Sequence, residues 1–315
     1  MRIVFMGTPA FAVPSLNLLI EQNYNVVAVV TQPDRPKGRK KTLTPPPVKE
    51  AALSLGLPVL QPERMRSADA VAALAELRPD LIVTAAYGQI LPKAVLDLPR
   101  LGCINVHGSL LPRYRGGAPI QRSIMNGEDV TGVTIMYMAE GLDTGDMISA
   151  VEVPITDEDT AGTMFDKLSA AGAELLGRTL PALIAGEAKA VPQPNELATY
   201  APNLTRDDEK IDWDRSARAI FNQVRGLSPM AGAFTYLNGE VFKVWSCVPA
   251  EGSAAPKAPG TVLAAGGDGI RVQTGEGVLV LKEIQPAGKK AMNAAEWLKG
   301  ARLEAGTVLG NGGAV

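Results

Sequence analysis

His107 is the one histidine among 315 residues, so any proton transfer near neutral pH that uses an imidazole must use this one. It stands in residues 103–119, CINVHGSLLPRYRGGAP. The opening CINVH alternates as a buried strand does, and side chains two apart share a face, so Asn105 and His107 point the same way, about 7 Å apart along the strand. A lone histidine serves structure in most proteins. Here an amide and an imidazole interrupt an apolar strand, which costs free energy unless they have partners or a task. A second polar cluster follows at 138–148, MAEGLDTGDMI, where Glu140, Asp143 and Asp146 sit among Gly141 and Gly145. A Gly-rich turn of this kind is often only solvated, yet it can also aim one carboxylate at the imidazole.

These residues need a frame. In open α/β sheets ligands bind at the carboxyl ends of the strands, where His107 falls. Beyond it Pro112, Gly116, Gly117 and Pro119 predict an ordered loop across the mouth of such a site. Cys103 shares the face of His107, which raises a thiol hydrolase as an alternative. Four residues of extended chain separate the two by about 13 Å, beyond hydrogen-bond reach.

The length predicts two domains, and 46% hydrophobic with 20% charged residues is the composition of a soluble protein with a substantial core. A net charge of −2 means that any contact with nucleic acid must be local. The two cysteines, Cys103 and Cys247, form neither a disulfide framework nor a metal cluster and suit a reducing cytoplasm. No leader pattern and no apolar run near 18 residues is present, so a cytoplasmic protein away from the membrane is expected.

Residues 2–7 and 25–31 read as buried parallel strands around a helix at 9–22. GTPAFA offers one glycine where a dinucleotide fingerprint needs three, which predicts a Rossmann-like, mostly parallel sheet without its cofactor loop. Helices follow at 48–56 and 68–77 and strands at 59–60 and 81–86. TGVTIMYM and MISAVEVPI are expected to pair on either side of the Asp143 turn, ahead of a long helix over 159–183. Residues 187–206 hold three prolines and no clean period and are assigned to a linker between a domain at 1–186 and another at 207–315. The second domain has a short helix at 215–226 and then short strands with Gly-rich turns. Asn238-Gly239 is a hairpin signal, and the pattern predicts a small OB-like β-barrel.

One stretch differs from all others. Within 35–41, RPKGRKK, five of seven residues are basic: Arg35, Lys37, Arg39, Lys40 and Lys41. A solvated surface loop explains this as well as an RNA contact does, but the loop leaves the carboxyl end of a strand and should overhang the ligand crevice, within reach of a phosphate backbone.

Asn105, His107 and Asp143, with SLLPRYRG between, resemble the active-site signature of the folate-dependent formyltransferases. GTPAFAVPSL, TQPDRPKGRK, AYGQILPKAVLDLPRLGCINVHGSLLPRYRGGAPIQRSI, TGVTIMYM and GLDTGDM, with IDW at 211–213, FKVW at 242–245 and QPAGKKAM at 285–292, resemble in particular the methionyl-tRNA formyltransferase family. The resemblance covers residues 2–292. It implies transfer of a formyl group from 10-formyl-tetrahydrofolate, as co-substrate, to the α-amino group of methionyl initiator tRNA. It implies also that Asn105 donates to the oxyanion, that His107 donates or shuttles the proton, and that Asp143 holds the imidazolium. Ser109, Leu110, Leu111 and Pro112 match the folate-contacting segment, the loop of Arg35, Lys37, Arg39, Lys40 and Lys41 matches the one set against the tRNA acceptor stem with Arg39 at its key position, and the second domain matches an RNA-binding accessory. No metal is implied, and a monomer is expected. An amino nucleotide-sugar acceptor is the alternative within the chemistry; a non-catalytic RNA-binding protein is the alternative outside it, and it leaves Asn105, His107 and Asp143 unexplained.

Overall fold

Apolar runs near the start of the chain lie side by side as one sheet in the computed structural model, which describes residues 1–38, 41–250 and 257–310. In chain order the elements are β1 (Ile3–Gly7), α1 (Val13–Glu21), β2 (Val26–Val30), β3 (Arg35–Lys37), β4 (Thr42–Thr44), α2 (Pro47–Ser54), β5 (Val59–Leu60), α3 (Ala68–Glu76), β6 (Leu81–Ala85), α4 (Lys93–Leu96), β7 (Cys103–His107), α5 (Pro119–Met125), β8 (Val130–Tyr137), β9 (Met147–Pro154), α6 (Ala161–Ala185), α7 (Arg206–Glu209), α8 (Ala217–Leu227), β10 (Ala233–Leu237), β11 (Glu240–Ala250), β12 (Val262–Gly266), β13 (Gly269–Gln273), β14 (Val278–Gln285), β15 (Met292–Asn293) and α9 (Ala294–Leu298).

Two units result: Met1–Pro119, Val130–Pro154 and Phe165–Ala201 form one, and Ile120–Asp129, Ile155–Met164 and the chain from Pro202 form the other. The first holds a seven-stranded sheet in the order β5-β2-β1-β6-β7-β8-β9. β5 through β7 run parallel, as their unbroken apolar runs require, and every residue of β1 and β6 is buried. β8 and β9 are antiparallel, so the expected pairing of TGVTIMYM with MISAVEVPI is present. Gly7 ends β1 where a Cβ would meet Ala12 Cβ at 2.7 Å and the Ala85 carbonyl at 3.0 Å. The close approach here is between protein atoms, in keeping with a Rossmann-like sheet that lacks the dinucleotide loop.

The second unit is the expected small antiparallel domain. Its strands follow the order β10-β11-β14-β13-β12, with β15 on β14, and its core gathers Trp213, Ile220, Val224, Phe242, Val244 and Leu281. Ser216 caps α8 by accepting from Ala219 N at 3.2 Å, and Asn238 and Gly239 take positive φ of 52° and 80°, the backbone that a two-residue hairpin demands.

Two segments differ from their sequence reading. The basic loop is partly regular: β3 and β4 pair with Arg35 opposite Thr44 and Lys37 opposite Thr42, because the turn between them carries positive φ at Gly38 and Lys41. The Pro-rich stretch read as linker packs into the first unit as far as Ala201, since its polar groups are satisfied one by one rather than by a periodic ladder: Gln193 is 8% exposed, and Val191 exchanges two backbone bonds with Met147. Among the described residues no helix is long and apolar enough to cross a membrane.

Candidate active site

β7 carries Asn105 and His107 to the carboxyl end of the parallel strands, and β8 closes beside it with Thr134 opposite His107. His107 is 6% exposed, and its Nε2 lies 3.1 Å from the Tyr114 carbonyl. A carbonyl can only accept, so Nε2 holds a hydrogen and the neutral ring keeps its lone pair on Nδ1. That nitrogen faces Asp143, whose Oδ2 is 3.8 Å away. The gap is long for a hydrogen bond but within ion-pair range, so a proton taken up at Nδ1 comes to rest beside a carboxylate. Asp143 Oδ2 is itself held, accepting from Gly116 N at 2.8 Å. The structure therefore brings His107 and Asp143 together through the mouth loop that the sequence placed between them.

Both backbone positions that flank the imidazole are unusual. Tyr114 and Asp143 take φ of 59° and 50°, the left-handed region, at a cost on the order of 1–3 kcal/mol where the residue is not glycine. Such conformers persist only where surrounding contacts fix them. Gly116 must be glycine for a different reason, since at φ 121° a Cβ would stand 2.7 Å from the Ala201 carbonyl.

Asn105 meets a partner that sequence reasoning overlooked. Thr84 on the neighbouring strand donates from Oγ1 to Asn105 Oδ1 at 2.8 Å, with the Ile104 carbonyl at 3.0 Å as a second acceptor. With its oxygen engaged, the Asn105 amide has its NH2 free to donate. The signal was available: Thr84 is the polar residue inside the apolar run DLIVTAAYG.

Ser109, Leu110, Leu111 and Pro112 divide into two pairs. Ser109 is wholly buried, donating to the Arg113 carbonyl at 2.7 Å, and Leu111 is buried with its N–H on Thr134 Oγ1 at 3.1 Å. Leu110 and Pro112 are half-buried and keep surface for a contact. In the basic hairpin Arg35 pairs with Glu63 at 2.9 Å, while Lys37 and Lys41 are exposed; Arg39 and Lys40 lie outside the described residues. The hairpin's base is fixed by Asp34, which accepts from Lys49 at 2.8 Å and Gln61 at 2.7 Å. Those bonds, Gln61 first, hold its carboxyl below the usual range. Cys103 is buried, its Sγ near the Val95 carbonyl at 3.8 Å, and burial pushes its thiol up to about 12, the opposite of an activated nucleophile. Among the described residues no group of three or more His, Cys, Asp or Glu could hold a metal ion.

Comparison with known proteins matches residues 1–180 to the formyl transferase family and residues 203–302 to the formyl transferase C-terminal domain. The methionyl-tRNA formyltransferase of Bacillus subtilis is 58% identical over 312 residues, which cover 98% of each chain. The chain belongs to the methionyl-tRNA formyltransferase family. A second formyltransferase of that name, from Halalkalibacterium halodurans, is 55% identical over 315 residues, again covering 98% of each chain. Among solved structures, an N-formyltransferase of Helicobacter canadensis, in complex with folinic acid and dTDP-3-aminofucose, superposes with a TM-score of 0.69 at 17% identity, covering 91% of this chain and 99% of its own. At that identity the likeness is one of fold.

Proposed function

We propose that this enzyme moves the formyl group of 10-formyl-tetrahydrofolate to the α-amino group of methionyl initiator tRNA, with Asn105, His107 and Asp143 as its catalytic residues. The observation that carries the reading is the fixed tautomer of His107, which turns a basic Nδ1 toward Asp143 at the end of the strand that also carries the Asn105 amide.

The chemistry follows from these atoms. The amine nitrogen bonds to the formyl carbon, negative charge gathers on the formyl oxygen, and the Asn105 NH2 donates to it. His107 Nδ1 takes the proton that the attacking nitrogen must lose, and Asp143 stabilises the imidazolium. The proton then passes to the departing folate nitrogen as the carbon–nitrogen bond breaks, which restores the neutral ring. His107 Nε2, committed to Tyr114, takes no part in holding the oxyanion. Leu110 and Pro112 offer the apolar surface for the folate, with Ser109 and Leu111 shaping the loop beneath. Arg35, Lys37, Arg39, Lys40 and Lys41 contact the tRNA acceptor stem, and the second domain adds a further RNA face. The enzyme works as a cytoplasmic monomer.

The test is formyl transfer from 10-formyl-tetrahydrofolate to methionyl initiator tRNA by the intact protein, His107→Ala and Arg39→Ala. Turnover by the first, near loss of kcat in the second and impaired use of the tRNA in the third are expected. Transfer to an amino nucleotide-sugar with none to the tRNA overturns the acceptor and leaves the chemistry standing.

A further inference from the structure

His107 is held between two left-handed backbone residues, and a third segment grips both of them. On one side, Tyr114 N donates to Thr199 Oγ1 at 2.9 Å, Arg115 N to the Thr199 carbonyl at 2.8 Å, and Ala201 N to the Arg115 carbonyl at 2.7 Å. On the other, Gln193 Nε2 donates to the Asp143 and Gly145 carbonyls at 2.8 and 2.7 Å. The same amide's Oε1 accepts from Arg115 Nε and Nη2 at 2.9 and 2.8 Å. Arg115 is 2% exposed, and Asn195 Oδ1 is its further acceptor at 3.1 Å. One buried side chain thus ties the carboxylate turn to the loop that carries the histidine's carbonyl partner.

We propose that Gln193 is a positioning residue for formyl transfer: through Arg115 it locks the Tyr114 and Asp143 backbones in register, and so sets the gap between His107 Nδ1 and the Asp143 carboxylate. The assignment rests on the catalytic roles proposed above. The physical reason is that both flanking residues hold backbone conformations that the chain does not favour, and each returns to a commoner one unless its neighbours fix it. The Asp143 carboxylate has one further anchor in its own turn's surroundings, Gly116 N, and that anchor belongs to the same loop. Were the turn to relax by even a fraction of an ångström, both contacts would change together. The Gln193 amide suits this task because its two ends do different work. Its oxygen satisfies a buried guanidinium, and its nitrogen satisfies two carbonyls.

The two ends can be separated by substitution. Gln193→Glu keeps an acceptor for Arg115, now as an ion pair, and removes both donations to the turn. Gln193→Leu removes both ends. Each variant is assayed with saturating substrates, alongside Tm and amide hydrogen exchange of residues 139–146 and Gly116. Gln193→Glu is expected to lose at least tenfold in kcat with KM for both substrates within threefold, to keep its Tm within a few degrees, and to exchange faster at 139–146; Gln193→Leu is expected to lose both kcat and Tm. In an Asp143→Asn background, where the carboxylate is already absent, Gln193→Glu is expected to change kcat less than threefold. Wild-type kcat and exchange in Gln193→Glu, or a full additive loss with Asp143→Asn, overturns the proposal. An inactive wild-type protein would instead overturn the catalytic reading, while the exchange measurement still decides whether Gln193 holds the turn.

Discussion

Thr84 Oγ1 lies 2.8 Å from Asn105 Oδ1, across neighbouring parallel strands in which Thr84 pairs with Asn105. This bond decides which end of the amide is free. Thr84→Val keeps the shape of the side chain and removes the donor, so kcat is expected to fall about fivefold, the worth of one net hydrogen bond of about 1 kcal/mol. Asn105→Ala removes the donor proposed for the oxyanion and is expected to cost about 10²- to 10³-fold. Steady-state kinetics of both check the order. Undiminished turnover in Asn105→Ala would sink its assignment.

His107 Nδ1 lies 3.8 Å from Asp143 Oδ2, and the roles proposed for the two residues require that they act as one unit. His107→Gln is expected to lower kcat about 10²- to 10⁴-fold, the range for a general base. Asp143→Asn keeps the shape of its turn and removes the charge. Adding it to His107→Gln should then cost little more than His107→Gln alone, which a double-mutant cycle measures. Independent, multiplying losses would show that the two do not work together.

The buried thiol of Cys103, pushed up to about 12, should be inert toward iodoacetamide in the native enzyme at pH 8. Mass spectrometry of the treated protein is expected to find Cys103 unmodified and the activity intact. Modification at Cys103 with loss of activity would revive a thiol mechanism.

Gly116 combines φ 121° with a Cβ site 2.7 Å from the Ala201 carbonyl. Gly116→Ala must move backbone against backbone and is expected to cost about 1–3 kcal/mol in stability. Because Gly116 N also holds Asp143, activity should fall further than the loss of folded protein accounts for. Denaturant melts with kinetics at matched folded fractions separate the two effects.

In the second unit Arg122 holds Asp208 through both carboxylate oxygens, at 2.6 and 2.9 Å. The Arg122 guanidinium, with Thr205 beside it, keeps that carboxyl below its usual range. A folded-state pKa below the unfolded one stabilises the protein at pH above about 4, and the contribution fades as pH falls through the folded value. Asp208→Asn should therefore lower Tm at pH 7, with the gap to the wild type closing as the pH drops toward 3. A gap that stays constant across that range would rule the ion pair out as the cause.

Much of this was legible in the residues. An apolar run with a period of two fixes a strand and which side chains share its face, so CINVH alone places Asn105 beside His107. The absence of two glycines from GTPAFA removes the dinucleotide loop, and Asn238-Gly239 marks a hairpin because few other residue pairs tolerate positive φ in succession. Period and backbone tolerance are local properties, carried by a few adjacent residues.

What tertiary structure alone decided is how distant groups meet. That His107 Nε2 rather than Nδ1 bears the hydrogen depends on the Tyr114 carbonyl, and carbonyl direction is set by a left-handed backbone that no residue type announces. Gln193 reads in the chain as one polar residue in a Pro-rich stretch, yet it joins Arg115 to the Asp143 turn across separations of 78 and 50 residues. Such bonds have no period and no spacing rule. They exist because buried polar groups must find partners, and which partners are within reach is settled only when the sheet, the loop and the stretch that follows α6 have come together.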